Sequence, residues 1–368
     1  MIFLTQQLLT LNLSMKEGIY FNMPDSEYHS IPYFSRSMVQ YVNMGAEEAW
    51  HQAPINPNKA LNESSYAMDL GTAMHSMILE PEIFNQLYIR RPKKEDYTNK
   101  IILDKVSELQ DFLESVGEKK TGRKDDLIGR AIPYLNPNTH IVWEGEMHKF
   151  DTELQLRGCK ELNDNEIEIL NAVQDNINNT SQIKQVFQNG YPEVTIIWKD
   201  EESGVMCKCR LDYVRPEAIG ELKTFSLKYK KNLTKLLCDI INFERYNMQF
   251  AIYHQALSNI IKKINAKKAE VFGDVDAEWL DKFLQKPNKQ FLMVFVRTQA
   301  PYQVRCIELE QSSTVGATDN EYFTQGYTAF RNAINLYAEY LKKPTPWKEE
   351  KEIITLSDED VPNIIFQN

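Results

Sequence analysis

Two acids and an amine within one hairpin are the first residues of this chain that could do chemistry. Residues 205–224 read V-M-C-K-C-R-L-D-Y-V-R-P-E-A-I-G-E-L-K-T. Alternation sets Met206, Lys208, Arg210, Asp212 and Val214 against Val205, Cys207, Cys209, Leu211 and Tyr213 on one strand, and Ile219, Glu221 and Lys223 against Gly220, Leu222 and Thr224 on the next. With 215–218 as the loop and Val214 paired with Ile219, Asp212 falls opposite Glu221 and Arg210 opposite Lys223. Carboxylates facing each other at about 5 Å repel and weaken a hairpin unless a cation sits between them. A divalent metal is the economical explanation. Lys223, two residues from Glu221 on the same strand face, could position or deprotonate a water and offset charge in a hydrolytic transition state. An E-x-K triplet arises by chance in most chains of this size, with a solvent-facing strand as the default; Asp212 opposite is what gives it weight.

Several elements must bring partners to this hairpin. A strand at 193–198 and a turn at 200–204 complete a three-stranded meander. Upstream, Ser35 is an N-cap before Met38, Val39, Tyr41 and Val42, in a helix continuing toward Trp50 and ended by Pro54. A second apolar helix runs from Tyr66 to Pro81 and carries His75, a residue more often a hydrogen-bonded core group than a ligand in such a setting. Gly71, one turn earlier, would let another backbone approach, and its helix cost of about 1 kcal/mol relative to Ala calls for a compensating contact. Residues 160–187 read as an amphipathic helical pair, and 243–264 as the longest helix, where Gln249 and Tyr253 share a face beside Tyr246. Such an aromatic stripe is usually core. Strands at 291–297 and 304–309, then a helix over 321–342, precede a polar, acidic tail.

A chain of 368 residues, 42% hydrophobic and 26% charged, can fold as one large or two ordinary domains. Its net charge of −10 gives no overall attraction to nucleic acid, so any such surface must come from local clusters. Lys228, Lys230, Lys231 and Lys235 form one cluster, and Lys119, Lys120, Arg123 and Lys124 a second. Five cysteines without a C-x-x-C pair argue against a disulfide framework and against zinc at the usual spacing, and point to a reducing cytoplasm. Residues 1–14 lack a basic n-region and a cleavage site and are too short to span a bilayer, so they read as a loose leader, with Met15 as an alternative start and no membrane attachment.

The order of these pieces carries a resemblance. G-x-x-x-H at Gly71–His75, then Glu193, Asp212, E-x-K at Glu221, and Q-x-x-x-Y at Gln249 resemble the PD-(D/E)XK nucleases of the exonuclease VIII (RecE) type, relatives of lambda exonuclease and the RecB/AddB nuclease domains. Tyr191-Pro192-Glu193 through Trp198, Cys207-Lys208-Cys209-Arg210-Leu211-Asp212, Tyr246-Asn247-Met248-Gln249 and the opening Tyr28-His29-Ser30-Ile31-Pro32 extend the likeness over most of 17–350. Leu211 stands where the family name has proline, and Glu221 where the RecE type often has Asp. The resemblance implies an α/β (α+β) fold, a central mixed β-sheet of the restriction-endonuclease-like core flanked by helices, over 15–368. It implies that His75, Asp212 and Glu221, with the Leu222 carbonyl and with Glu193 directly or through water, bind two Mg²⁺ ions, Mn²⁺ being able to substitute. Lys223 would serve the attacking water, and Gln249 and Tyr253 would orient lysine, water or phosphate. Ser35 and Arg36 would hold a terminal phosphate at a helix N-terminus, with Arg210, Thr224 and Lys228 as further DNA contacts.

Residues 106–135, L-x-x-F-L-x-x-x-G followed by T-G-R-K-x-x-L-I-x-R, resemble the SAP motif, a small DNA-binding module whose bounds are set at 102–136; its basic residues are Lys119, Lys120, Arg123 and Lys124, and a solvated helical hairpin is the plain alternative. The activity implied is 5′→3′ digestion of double-stranded DNA ends, leaving 3′ single strands for an annealing partner, by a ring-shaped trimer or tetramer in a bacterial host cytoplasm. A related nuclease for single-stranded or structured DNA and a non-catalytic DNA-binding relative are the other readings.

Overall fold

Both-face burial of one sheet organises the described residues of the computed structural model, which are 15–59, 64–227, 232–309 and 321–348. The chain runs through β1 (Gly18–Tyr20), α1 (Asp25–Ser30), α2 (Arg36–Met44), α3 (Ala46–Gln52), α4 (Tyr66–Leu79), α5 (Pro81–Leu87), β2 (Tyr88–Arg90) and β3 (Ile101–Leu103). It continues through α6 (Val106–Ser115), α7 (Lys124–Ala131), β4 (His140–Val142), α8 (Trp143–Arg157), β5 (Lys160–Leu162), α9 (Asp164–Asn178) and α10 (Ser181–Val186). The second half holds β6 (Tyr191–Lys199), β7 (Met206–Val214), β8 (Ala218–Phe225), α11 (Leu233–Phe243), α12 (Tyr246–Asn265), β9 (Glu270–Phe272), α13 (Ala277–Gln285), β10 (Gln290–Arg297), β11 (Val304–Leu309) and α14 (Glu321–Leu341).

Seven strands pair in the order β11-β10-β8-β7-β6-β1-β9, with β8/β10 and β1/β9 parallel and the other neighbours antiparallel. The sheet is therefore mixed and flanked by helices, as expected. Period-2 alternation explains its two cores. On β10, Phe291, Met293 and Phe295 join the core built with α2, α3, α12 and α14, while Val294 and Val296 join a second core with α4, α9 and α10. A buried ion pair ties α14 to the β6–β7 turn: Arg331 donates to both Asp200 oxygens at 2.8 and 2.9 Å, with Asp200 1% exposed.

Local departures from the sequence reading have identifiable causes. The helix expected from Ser35 toward Trp50 is two helices, because Gly45 at φ 122° breaks it into α2 and α3. Arg245, at φ 54°, likewise separates α11 from α12, so the long helix starts at Tyr246 rather than 243. The first residues of the expected pair over 160–187 form β5, paired in parallel with β2. Around α6 and α7, Leu103, Leu109, Leu113, Leu127, Ala131 and Val142 close a small core of their own on the β3/β4 parallel pair, reaching past the 102–136 segment at both strands. The leader at 1–14, and Lys228, Lys230 and Lys231, lie outside the described residues. Among the described residues, no helix is long and apolar enough to cross a membrane.

Candidate metal centre

The site sits where the β7–β8 hairpin forks. Val214 pairs with Ile219 and Tyr213 with Gly220, as the hairpin pattern predicts, but the ladder ends there. Expected pairings of Asp212 with Glu221 and of Arg210 with Lys223 do not form. Instead Asp212 Oδ2 accepts the Leu222 N–H at 2.8 Å and the Arg210 carbonyl accepts the Tyr253 hydroxyl at 2.8 Å, while β8 is paired in parallel with β10 from Ala218 to Phe225. Further along the opened edge of β7, Phe34 bridges the strand, donating to the Met206 carbonyl and accepting from Lys208 N–H.

Asp212 interrupts the ladder on its other side too. Pro192 pairs with Tyr213 and Val194 with Leu211, which leaves Glu193 opposite Asp212 without a ladder pair. Glu193 adopts φ 50°, a left-handed conformation that strains a non-glycine residue by roughly 1–3 kcal/mol and concentrates at functional sites. Leu211 and Val214 pack into the same core although three residues apart, which a regular strand forbids, so β7 is kinked at Asp212. Three acids on adjacent strands, Glu193, Asp212 and Glu221, therefore straddle one irregular point.

Helix α4 brings the fourth group. Ser65 Oγ caps it by accepting the Met68 N–H, and Leu70, Ala73, Met74 and Met77 pack it against the sheet. His75 Nε2 lies 2.9 Å from the Leu222 carbonyl and Nδ1 lies 3.8 Å from Asp212 Oδ2. A carbonyl can only accept, so Nε2 carries the proton and, in a neutral ring, Nδ1 turns its lone pair toward Asp212. Two acceptors facing each other call for a cation between them. Leu222, expected to lend its carbonyl to a metal, uses it here to orient the imidazole, an arrangement common around metal-bound histidines. Ligand atoms of His75, Glu193 and Asp212 all lie within 4.8 Å of one another.

Glu221, expected in the same ligand set, stands just outside that triad. Its Oε1 accepts from Lys223 Nζ at 2.6 Å and from Gln249 Nε2, and lies 3.4 Å from the Tyr253 hydroxyl, whose proton goes to the Arg210 carbonyl. Its Oε2 is buried with no hydrogen-bond partner, an orphan acceptor that a cation would satisfy. Burial first, and the Asp212 charge second, push the Glu193 and Glu221 carboxyls above the usual Glu range. Burial alone would lower Lys223, but the Glu221 and Asp212 carboxylates outweigh it and the amine is raised, which keeps it an ammonium rather than the base the sequence left open. Imidazole with hard carboxylates suits Mg²⁺ or Mn²⁺ rather than a soft-thiolate metal.

Gln249 and Tyr253 meet the site as their spacing predicts, with Gln249 Nε2 donating to the tyrosine oxygen at 2.6 Å. Ser35 and Arg36 line a neighbouring cavity of about 420 Å³ whose wall also holds Tyr28, His29, Ser30, Lys59, Lys208, Gln249 and Tyr253 and, among the described residues, no carboxylate. Arg36 donates to the Glu244 carbonyl at 2.6 Å and its buried Nε has no partner. Arg210 departs from its expected role as a DNA contact. Its side chain is only 9% exposed and is committed to Thr195, the Asp25 carboxylate and the Met23 carbonyl. Thr224 is half-buried and faces Gly71, where an added Cβ would meet its Oγ1 at an ordinary 3.7 Å. Among the described residues no backbone comes within 4 Å of that added Cβ, so they do not supply the close approach expected for Gly71. In the α6–α7 segment, Lys120 pairs with Glu114 and Lys124 with Asp104 and Glu144, leaving Lys119 and Arg123 exposed and without ion pairs among the described residues. Lys228 lies outside the described residues. Sequence reasoning missed Glu80, at the end of α4, whose charge acts on Glu193 and whose own carboxyl is raised by burial. Its position one turn beyond His75, just before Pro81, was the available signal.

A mixed sheet with helices on both faces, an acid at a forked hairpin and an E-x-K strand beside it define a PD-(D/E)XK-like protein. Residues 37–273 match the family described as "PDDEXK-like domain of unknown function (DUF3799)", and the chain belongs to that family. No curated protein matches the chain significantly. A crystal structure of a "Putative exonuclease" from Eubacterium rectale is similar at 14% identity and a TM-score of 0.33, over 72% of this chain and 96% of that one.

Proposed function

We propose that this protein is a divalent-metal-dependent DNA nuclease that digests double-stranded DNA from its ends, 5′→3′, as the RecE-type resemblance suggests. The observation that carries the reading is the meeting of His75, Glu193 and Asp212 beside the buried Glu221–Lys223 pair in a chain of a PDDEXK-like family. His75, Glu193 and Asp212 would hold the metal, with Glu221 contributing its unpaired Oε2 toward a second ion. When bound, Mg²⁺ or Mn²⁺ activates water near neutral pH and offsets charge on the phosphate and departing oxygen. Lys223, anchored by Glu221, adds a fixed positive charge beside the scissile group, and Gln249 and Tyr253 hold Glu221 in place from α12.

The neighbouring cavity supports recognition of an end. It offers Ser35, Arg36, His29, Ser30 and Lys59 and, among the described residues, no acid, a composition suited to a terminal phosphate. Within the same reading, the α6–α7 segment is a SAP-like accessory DNA contact acting through Lys119 and Arg123, and the protein works in the bacterial cytoplasm as a ring-shaped trimer or tetramer handing 3′ strands to an annealing protein. The test is an end-labelled linear duplex, with and without 5′ phosphate and Mg²⁺, beside closed circular DNA. Metal-dependent release of nucleotides from 5′ ends, faster with 5′ phosphate, is expected. Nicking of the circle, preference for single strands, or no cleavage would each refute the assignment.

A further inference from the structure

Strand β7 carries two buried cations whose charges face inward. Lys208 and Arg210 precede Asp212 at alternate positions, and, apart from the bond from Arg210 to Thr195, their side chains are committed to one stretch of chain, 23–31. Lys208 Nζ donates to the carbonyls of Tyr28 and Ile31, both at 2.7 Å. Arg210 donates to the Met23 carbonyl at 3.0 Å and to the Asp25 carboxylate at 3.1 Å. Between them lies the Tyr28 ring, 4.4 Å from the ammonium and 4.2 Å from the guanidinium. α1, at the centre of this stretch, has no fully buried residue; its own apolar packing is the partly buried Tyr28 ring, set against a small core that includes Met23 and Ile31 at its flanks. Its position therefore depends on that one ring and on the two cations that hold it. The same stretch supplies Tyr28, His29 and Ser30 to the wall of the cavity beside the metal centre.

We infer that Lys208, assisted by Arg210, is a positioning residue: it clamps the α1 segment to β7 and so sets the shape of the wall against which the DNA end is held. The inference rests on the nuclease reading for its substrate. Its physical basis is that a strand of fixed geometry, carrying Asp212, registers a helix that would otherwise be loosely held. Arg210 Nε also stands 3.8 Å from the Glu193 carboxylate, so the clamp adjoins the metal set without belonging to it.

The test compares wild type with Lys208→Met and Lys208→Arg. Removing the ammonium leaves the buried Ile31 carbonyl without its donor and the Tyr28 carbonyl with only the Ile31 N–H at 3.3 Å, and loosens the segment; arginine restores donors. Lys208→Met should raise KM for an end-labelled duplex roughly tenfold with kcat within about twofold, a cost typical of displaced positioning groups. Mn²⁺ affinity, read by electron paramagnetic resonance, should not change, amides of 25–34 should exchange faster, and Lys208→Arg should recover most of the KM. Wild-type KM and exchange in Lys208→Met would overturn the clamp, as would a parallel fall of kcat and Mn²⁺ affinity. If Lys208→Met does not fold, Tyr28→Ala, which removes the ring between the cations, must show the same KM rise and faster exchange or the clamp is refuted. If wild type cuts no DNA, the nuclease reading fails on its own, and the clamp is decided by the exchange rates alone.

Discussion

Replacing Asp212 by Asn should stabilise the metal-free protein and abolish its response to metal. The side chain keeps its size, and Asn can still accept the Leu222 N–H that Asp212 now accepts at 2.8 Å. What changes is charge. With ligand atoms of Glu193 and Asp212 within 4.8 Å, two unit charges at an effective dielectric of about 20 repel by roughly 3 kcal/mol. Weakening a charge-assisted hydrogen bond to a neutral one returns about 1 kcal/mol, and partial protonation of the acids reduces the repulsion further. A net gain of about 1–2 kcal/mol remains, or a rise in Tm of roughly 1–3 °C in a chain of this size. The gain has a pH sign. Folded-state values for Glu193 and Glu221 are raised above the unfolded value near 4.3. Stability linked to these groups is therefore fully present below that value and is lost as pH rises through the folded values. Asp212→Asn should accordingly gain little near pH 5, progressively more from about pH 7 to about 9, and most above that. Differential scanning calorimetry across this range, with and without Mn²⁺, reads both effects. In wild type, Mn²⁺ at about a hundred times its Kd should add roughly 2.7 kcal/mol. A metal-free variant that melts below wild type at pH 8, or one that keeps the Mn²⁺-induced rise, would refute the assignment of Asp212 as the charge at the centre of the acid row.

Three further outcomes are expected. Arg331→Met should cost about 3–5 kcal/mol in chemical denaturation by leaving Asp200 buried and unpaired, so a loss under 1 kcal/mol would deny that this ion pair docks α14. Gly71→Ala should raise stability by about 0.5–1 kcal/mol without loss of activity, because its Cβ has room beside Thr224; destabilisation would mean that the helix there needs glycine for a reason other than space. Charge reversal at Lys119 and Arg123 should reduce the slope of log affinity against log salt for duplex DNA by about 2, and an unchanged slope would leave the α6–α7 segment a spacer.

Much of the site was legible because its residues sit on elements with strong local signals. β6, β7 and β8 alternate clearly, α4 carries an N-cap and an apolar stripe, and Gln249 and Tyr253 lie one helical turn apart. These periodicities place His75, Asp212, Glu221 and Lys223 on the right elements, and chain order supplies the family likeness. The fork was not legible. A pattern of alternate residues predicts a hairpin zipped along its length, and nothing in it announces that Asp212 will take the Leu222 N–H in place of a ladder bond, or that Glu193 will enter the left-handed region. The same limit explains Arg210, whose charge suggested DNA until packing showed it consumed by the segment carrying Asp25.

The amino-acid sequence by itself determined which strands and helices form and which chemically capable groups each carries, since alternation, capping and helical spacing are properties of a few neighbouring residues. Only the tertiary structure decided which of those groups meet. Asp212 taking the Leu222 N–H at the open hairpin, and His75 reaching the Leu222 carbonyl from 147 residues away, bring Glu193, Asp212 and His75 together and leave Glu221 paired with Lys223, and the second of these contacts exists only once α4 packs on the sheet.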